Sequence, residues 1–282
     1  MKLIAKTKSI LIKYLDNNYG RLLLAIIFSI IQSFKNFGFY RIFYSKKLKF
    51  WIHTKGSKTI VVEGIPNFSV SEKRMNAGTL KYFFKHYIPK NNDIIIEIGA
   101  GVGNDVYVIN TFFDVETEIY AIEAHPQTFS KLETLVHRNR WTNVKCSNIA
   151  IVESKKEVWI QDSDNHSTNR INSVESGYRI EGITLDEFVK KNNIKKIDYV
   201  KMNIEGSEKD ALLGMENELN KISNIVIACH DKLAKYYNND PFYYTREFVI
   251  ETLKRHNFEI LDEVESTYHI TIFAKNTKLE IR

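Results

Sequence analysis

Gly99, Gly101 and Gly103 alternate with Ala100 and Val102 directly after the apolar run Ile94–Ile98, which carries a single acid, Glu97. An apolar run of this length, broken abruptly by glycines, reads as a short buried strand ending in a turn. Glycine has no Cβ, so the backbone can turn sharply there and bring its N–H groups close to a ligand. Asn104–Phe113 then resumes an apolar pattern suited to a helix. A strand, a glycine turn and a helix start together present free N–H groups at the carboxyl edge of a sheet, where nucleotide-like ligands bind. A second acid extends the pattern. Glu123 closes the apolar run that begins at Glu118, twenty residues after Gly103. A carboxylate at that place can accept both hydroxyls of a ribose. These residues point to a nucleoside-containing cofactor.

The third glycine selects among such cofactors. A dinucleotide fingerprint would put it at position 104, where Asn104 stands. Glycines spaced as here, after an acid, form the pattern of S-adenosylmethionine (SAM) methyltransferases. Further segments carry the same likeness: Ala121-Ile-Glu123-Ala-His-Pro126, Asn148-Ile-Ala150, Ile183-Thr-Leu185-Asp186-Glu-Phe and Lys201-Met-Asn203-Ile-Glu205-Gly206-Ser-Glu208. From about Asn91 to Asp231 the chain resembles the FkbM-type family of SAM-dependent methyltransferases. One departure stands out: Asn203 occupies a position where that family usually shows Asp. The resemblance implies an α/β, Rossmann-like class I methyltransferase fold, with a mostly parallel seven-stranded sheet closed by an antiparallel carboxyl-terminal hairpin. It implies SAM as cofactor, held by Glu97, Gly99, Gly101, Gly103, Glu123 and Asn148, the last by adenine. It also implies O-methylation of a sugar, a glycan or glycolipid, or a related metabolite.

Methylating an alcohol requires positioning and the removal of one proton. The candidates follow two predicted strands: Asn203 and Glu205 after 197–202, His230 and Asp231 after 224–229. His230 titrates near neutrality and suits a general base; a lone histidine can equally cap a strand. Asn203 with Asp231 is similar to the ligand set of Mg²⁺-dependent O-methyltransferases, but Mg²⁺ favours more than one carboxylate, so the expectation is a metal-free site. His125 and His166 are further candidates, His125 beside the adenosine pocket. Two other functions fit part of the pattern. A nicotinamide (NAD-type) oxidoreductase would use the glycines and Glu123 but not Lys201–Glu208. A SAM-binding protein without turnover would account for Asn203.

The elements that must hold these residues alternate. Strands are expected at 94–98, 118–123, 143–151, 156–160, 197–202 and 224–229, with helices at 104–113, 126–138, 185–192, 207–214 and 242–256. Gln161–Ser176 reads as a polar loop over the site. Phe258–Val264 and Tyr268–Ala274 are separated by three residues, too few for a parallel crossover, so they form an antiparallel pair. Upstream, a helix is expected around Gly78–Tyr87 and a small hairpin near 50–53 and 59–63.

With 282 residues, 44% hydrophobic and 26% charged, one large α/β domain with an appendage is expected. The boundaries are 1–48 for an apolar, basic helical region and 49–282 for the methyltransferase domain. Cys146 and Cys229 fall in predicted strands as small core residues, which fits a reducing, cytoplasmic compartment. Much of the net charge of +6 lies before Glu63, so nucleic acid is not the expected partner, and the resemblance implies a small-molecule or glycan acceptor instead. Leu22–Phe34 is apolar over thirteen residues, too short to span a bilayer. Aromatic and basic residues follow it to Trp51, a mixture that suits an anionic headgroup layer. Residues 20–51 therefore have two readings: peripheral contact at the inner membrane face, or packing on protein.

Overall fold

A computed structural model describes residues 15, 17–35, 38–62, 72–161, 171–172 and 176–279. The chain divides into two compact units, residues 1–74 with 130–141, and residues 75–129 with 142–282.

In the first unit, helix α1 (Asn18–Lys35) precedes an antiparallel meander of β1 (Tyr40–Ser45), β2 (Phe50–Lys55) and β3 (Lys58–Val62). The Asn17 side chain caps α1 by accepting the Gly20 N–H at 2.9 Å. One face of α1 is buried: Leu24, Ala25 and Phe28 cluster with Ile42 and Trp51 of the meander. Two hydroxyls stitch the layers together, Ser33 Oγ accepting the Tyr40 N–H and Ser29 Oγ the Ile42 N–H, each at 2.9 Å. β1 was hidden in the aromatic, basic stretch expected to be helical, and its pairing with β2 runs across the expected boundary at residue 48.

The second unit holds the seven-stranded sheet, in the order β6 (Val144–Ser147), β5 (Glu118–Ile122), β4 (Ile94–Ile98), β11 (Ile197–Met202), β12 (Ile222–Cys229), β14 (Ile270–Asn276), β13 (Phe258–Glu265). The first five are parallel; β14 runs antiparallel to both of its neighbours. Buried parallel strands read as continuous apolar runs, which is why Ile94–Ile98 and Ile222–Cys229 were visible in the sequence. Helices Leu185–Lys191, Glu208–Leu213 and Arg246–Arg255 bury Phe188, Leu212 and Leu253 in the same cluster as Ile96, Val200 and Ile225. Thr184 caps the first of these, accepting the Glu187 N–H at 2.9 Å, and the Asp186 carboxylate accepts the Glu218 N–H at 3.0 Å. This is the Thr-Leu-Asp segment singled out in the sequence, and its work is structural.

Three differences from the sequence reading have local causes. The expected strand 143–151 is two strands in two sheets, because Asn148 breaks the run: its side-chain amide donates to the carbonyls of Glu123 and Ala124, both at 2.9 Å. β7 (Ala150–Ile151) instead joins a four-stranded sheet with β10 (Tyr178–Ile183), β8 (Lys156–Ile160) and β9 (Ile171–Asn172). β10, where Tyr178 and Ile180 alternate with Arg179 and Glu181, was not among the expected strands. The early helix covers Glu72–Tyr82 rather than 78–87. The expected loop 161–176 lies largely outside the described residues.

Candidate functional site

The glycine turn follows β4 and is fixed from two sides. Gly99 has φ +75°, and a side chain there would begin 2.1 Å from the Asn203 carbonyl oxygen, so the loop passes directly against the end of β11. Gly101 has φ +58° with open space where a side chain would be, and its N–H donates to Glu123 Oε2 at 2.9 Å. The other Glu123 oxygen accepts the His125 N–H at 2.9 Å. The structure thus joins the glycine loop to the carboxylate at the end of β5. Gly103 begins the following helix, Asn104–Val108, which continues as a π-helical turn to Phe113.

Glu97 is placed differently from a ligand-contacting acid. It is 0% exposed beneath the loop, 3.3 Å from Lys201 Nζ. Lys201 also reaches Asp105 at 3.0 Å and donates to the Gly99 carbonyl at 3.1 Å, while Thr79 donates to Asp105 at 2.6 Å. Burial pushes the Glu97 carboxyl up to about 7 against the pull of Lys201. Burial works against the charge on Lys201, yet Glu97 and Asp105 hold its pKa above the ordinary lysine range. Glu97 thus meets Lys201, which in turn holds the Gly99 carbonyl, a placement that its position in the motif did not reveal. Asn148 likewise braces the end of β5 through the two carbonyls named above.

A second cluster follows β11 and β12. Glu208 is 0% exposed, accepting the Gly206 N–H at 3.1 Å and the Thr245 hydroxyl at 3.0 Å, and lies 2.8 Å from His230 Nδ1. The other ring nitrogen, Nε2, lies 3.5 Å from Glu205. Burial alone would lower the His230 pKa, but the carboxylates of Glu208, Glu205 and Asp231 outweigh it and raise the pKa. Burial pushes the Glu205 carboxyl up to about 7, with His230 pulling the other way. Glu205 has φ +55°, a strained conformation for a residue with a side chain.

His230 was named as the candidate general base, and the structure places it away from the opening. At 1% exposure it lies under Glu205, whose side chain keeps 19% of its surface open. Glu205 is the outward member and His230 the inner one. His269 was missed in the sequence. The β12–β14 register, which pairs Cys229 with Ile270, brings its ring centroid to 5.8 Å from that of His230. Burial and then the charge of His230 lower its pKa to about 4.

For the metal alternative the two expected donors offer one carboxylate and one neutral amide, whose Oδ1 is buried without a hydrogen-bond partner. The Asp231 carboxylate accepts the Thr245 N–H at 3.2 Å and the Arg246 N–H at 3.1 Å, capping the helix Arg246–Arg255. The Asn203 backbone N–H is bound to Ile98 O at 3.0 Å, which fixes the chain there. His125 is buried, 3.2 Å from the Thr128 hydroxyl and edge-on to the Tyr178 ring. His166 lies outside the described residues. A groove of about 460 Å³ on the smaller sheet is lined by Lys155, Lys156, Glu157, Arg179, Ile180 and Glu181, none of them a candidate residue.

The profile of the "Methyltransferase FkbM domain" matches residues 97–260, a span containing every candidate from Glu97 to Asp231. Hexuronic acid methyltransferase AglP of Haloferax volcanii is 24% identical over 143 residues, which are 50% of this chain and 57% of that protein. The chain thus spans little more than half the length of this curated relative. Among solved structures, methyltransferase FkbM from Methylobacillus flagellatus KT is similar with a TM-score of 0.50 at 15% identity, over 70% of this chain and 47% of that one. Fibrillarin of Aeropyrum pernix, solved with S-adenosyl-L-methionine, is similar at a TM-score of 0.44 and 13% identity, over 83% of this chain and 97% of that one.

Proposed function

The chain belongs to the FkbM methyltransferase domain family, and from that premise we propose that it transfers a methyl group from SAM to a hydroxyl oxygen of a sugar or glycan. Family membership also removes the nicotinamide oxidoreductase alternative.

The residues fit the cofactor. Open space faces Gly101, and beside it stands the Glu123 carboxylate, whose two oxygens each accept one backbone N–H and keep further lone pairs for the hydroxyls of a ribose. SAM supplies an electrophilic methyl on a positively charged sulfur. The chain has to hold that group, align an acceptor oxygen and accept one proton. Glu205 is the residue for the proton. It is the partly open member of its cluster, and its carboxyl titrates at about 7, where a general base is most effective. His230 orients Glu205 and shares its charge, and Glu208 holds the imidazole from the other side. The sugar acceptor is supported by the name of AglP, a hexuronic acid methyltransferase, and the hydroxyl oxygen by Glu205, a partly open carboxylate able to take its proton.

The observation that carries this reading is Glu205, partly open above a buried histidine, two residues beyond the Asn203 that abuts the glycine loop. The test is incubation with isotopically labelled SAM and a panel of uronic acids, neutral sugars and lipid-linked glycans, with products read by mass. Label in an O-methyl ether supports the proposal. SAM binding without transfer to any member would leave the SAM-binding protein without turnover as the better description.

A further inference from the structure

We infer that the outward face of α1 binds the surface of an anionic lipid bilayer. Along this helix Leu22, Leu23, Ile26, Ile27, Ile30 and Phe34 all stand exposed, Leu22 at 62%, Ile26 and Ile30 at 51% and Phe34 at 78%. Their spacing of three and four makes one continuous stripe, opposite the buried Leu24, Ala25 and Phe28. Monomeric soluble proteins rarely leave so extended an apolar stripe open to water. Large exposed aromatics stand just outside it, Tyr19 at 88% before and Phe39 at 80% after, and rings of this kind favour the headgroup layer.

Charge identifies the occupant. Between Asn17 and Val62 there are eight lysines and arginines and no aspartate or glutamate. Arg41, Lys46, Lys47 and Lys49 in this stretch are exposed. A second copy docking on the same face would bring two such cationic stretches together and is opposed by repulsion, whereas anionic headgroups are attracted. The geometry also defines the mode. No helix among the described residues is long and apolar enough to cross a membrane. The inner face of α1 is occupied by protein, so the helix lies in the interface and offers lipid one side only.

The test uses the full chain with vesicles of phosphatidylcholine alone and of phosphatidylcholine mixed with phosphatidylglycerol. The protein should sediment with the mixed vesicles, weakly with the neutral ones, and less as salt is raised. The double variant Ile26→Glu/Ile30→Glu should lower partitioning roughly tenfold or more, while SAM affinity and thermal midpoint stay unchanged, since both side chains are exposed. As a second readout, Phe34→Trp should shift its emission to the blue on mixed vesicles. Wild-type protein that stays in the supernatant with both vesicle types, or a double variant that sediments like the wild type, overturns the inference. A dimer that dissociates in the double variant, without vesicle binding by the wild type, would assign the face to a second copy.

Discussion

Glu205 lies 3.5 Å from His230 Nε2 and is the outer of the two. A histidine that follows a strand end looks like the natural base in a sequence, yet here the ring is enclosed by two carboxylates and the glutamate faces outward. The assignment predicts that Glu205→Gln lowers turnover by roughly 10²–10⁴-fold with little change in SAM affinity. His230→Ala should lower it less and alter its pH dependence, because the ring acts through Glu205. Full turnover in Glu205→Gln would remove the residue from the mechanism.

The pH dependence follows from the direction of the shift. Burial raises Glu205 from its ordinary value of 4.5 to about 7, so the proton-accepting form grows as pH climbs. Turnover should therefore rise through about pH 7 and level off above it, and the rise should be absent from the residual activity of Glu205→Gln. Stability carries the opposite sign. The folded state keeps this proton after the unfolded chain has lost it, so the contribution is full below about 4.5 and fades as pH passes 7. A pH series of denaturation midpoints on wild type and Glu205→Gln checks this: the variant should lose less stability across that window.

For the cofactor, Gly101→Val should abolish SAM binding, because a branched side chain is strained at φ +58° and fills the open space facing the loop. Glu123→Ala should weaken binding by roughly 1.5–3 kcal/mol through the loss of charged hydrogen bonds. Calorimetric titration measures both. Unchanged affinities would show that SAM does not occupy this loop.

Removing the cation beneath the loop should be costly. Lys201→Met leaves Glu97 and Asp105 buried without their partner, and breaking a buried ion pair in this way costs roughly 3–5 kcal/mol. It also frees the Gly99 carbonyl. Urea denaturation should show the loss, and SAM affinity should fall with it even under conditions where the variant is folded.

Metal dependence gives a further discriminating outcome. With Asp231 committed to the helix Arg246–Arg255 and Asn203 neutral, EDTA should leave activity unchanged and added Mg²⁺ should not raise it. Loss with EDTA and return with Mg²⁺ would point to an arrangement that these donors do not offer.

What the sequence revealed depended on how local the cause was. The buried strands β4, β5, β11 and β12 declared themselves as apolar runs, and the three-residue connection before β14 required antiparallel pairing. Gly101 and Glu123 were legible as neighbours of one sheet edge because each follows a recognisable strand, but the hydrogen bond between them was not. The inward placement of Glu97 was not legible, since a charged residue in a glycine motif looks the same whether it meets a ligand or a buried lysine. Nor was the order of Glu205 and His230, which depends on burial by elements far away in the chain. His269 lay beyond reach for the same reason: only the register of β14 against β12 brings it to the cluster.

That register also bears on how the chain is made. β14 is the last strand among the described residues, yet it lies between β12 and β13 and supplies backbone hydrogen bonds to both. During synthesis from the amino terminus, β12 remains an open edge and β13 has no neighbour until residues 270–276 have left the ribosome. A chain interrupted just before them would carry an intact glycine loop and Glu205 but expose two bare strand edges, the kind of surface that recruits other chains. Nascent and prematurely ended molecules should therefore depend on chaperones far more than the finished protein does.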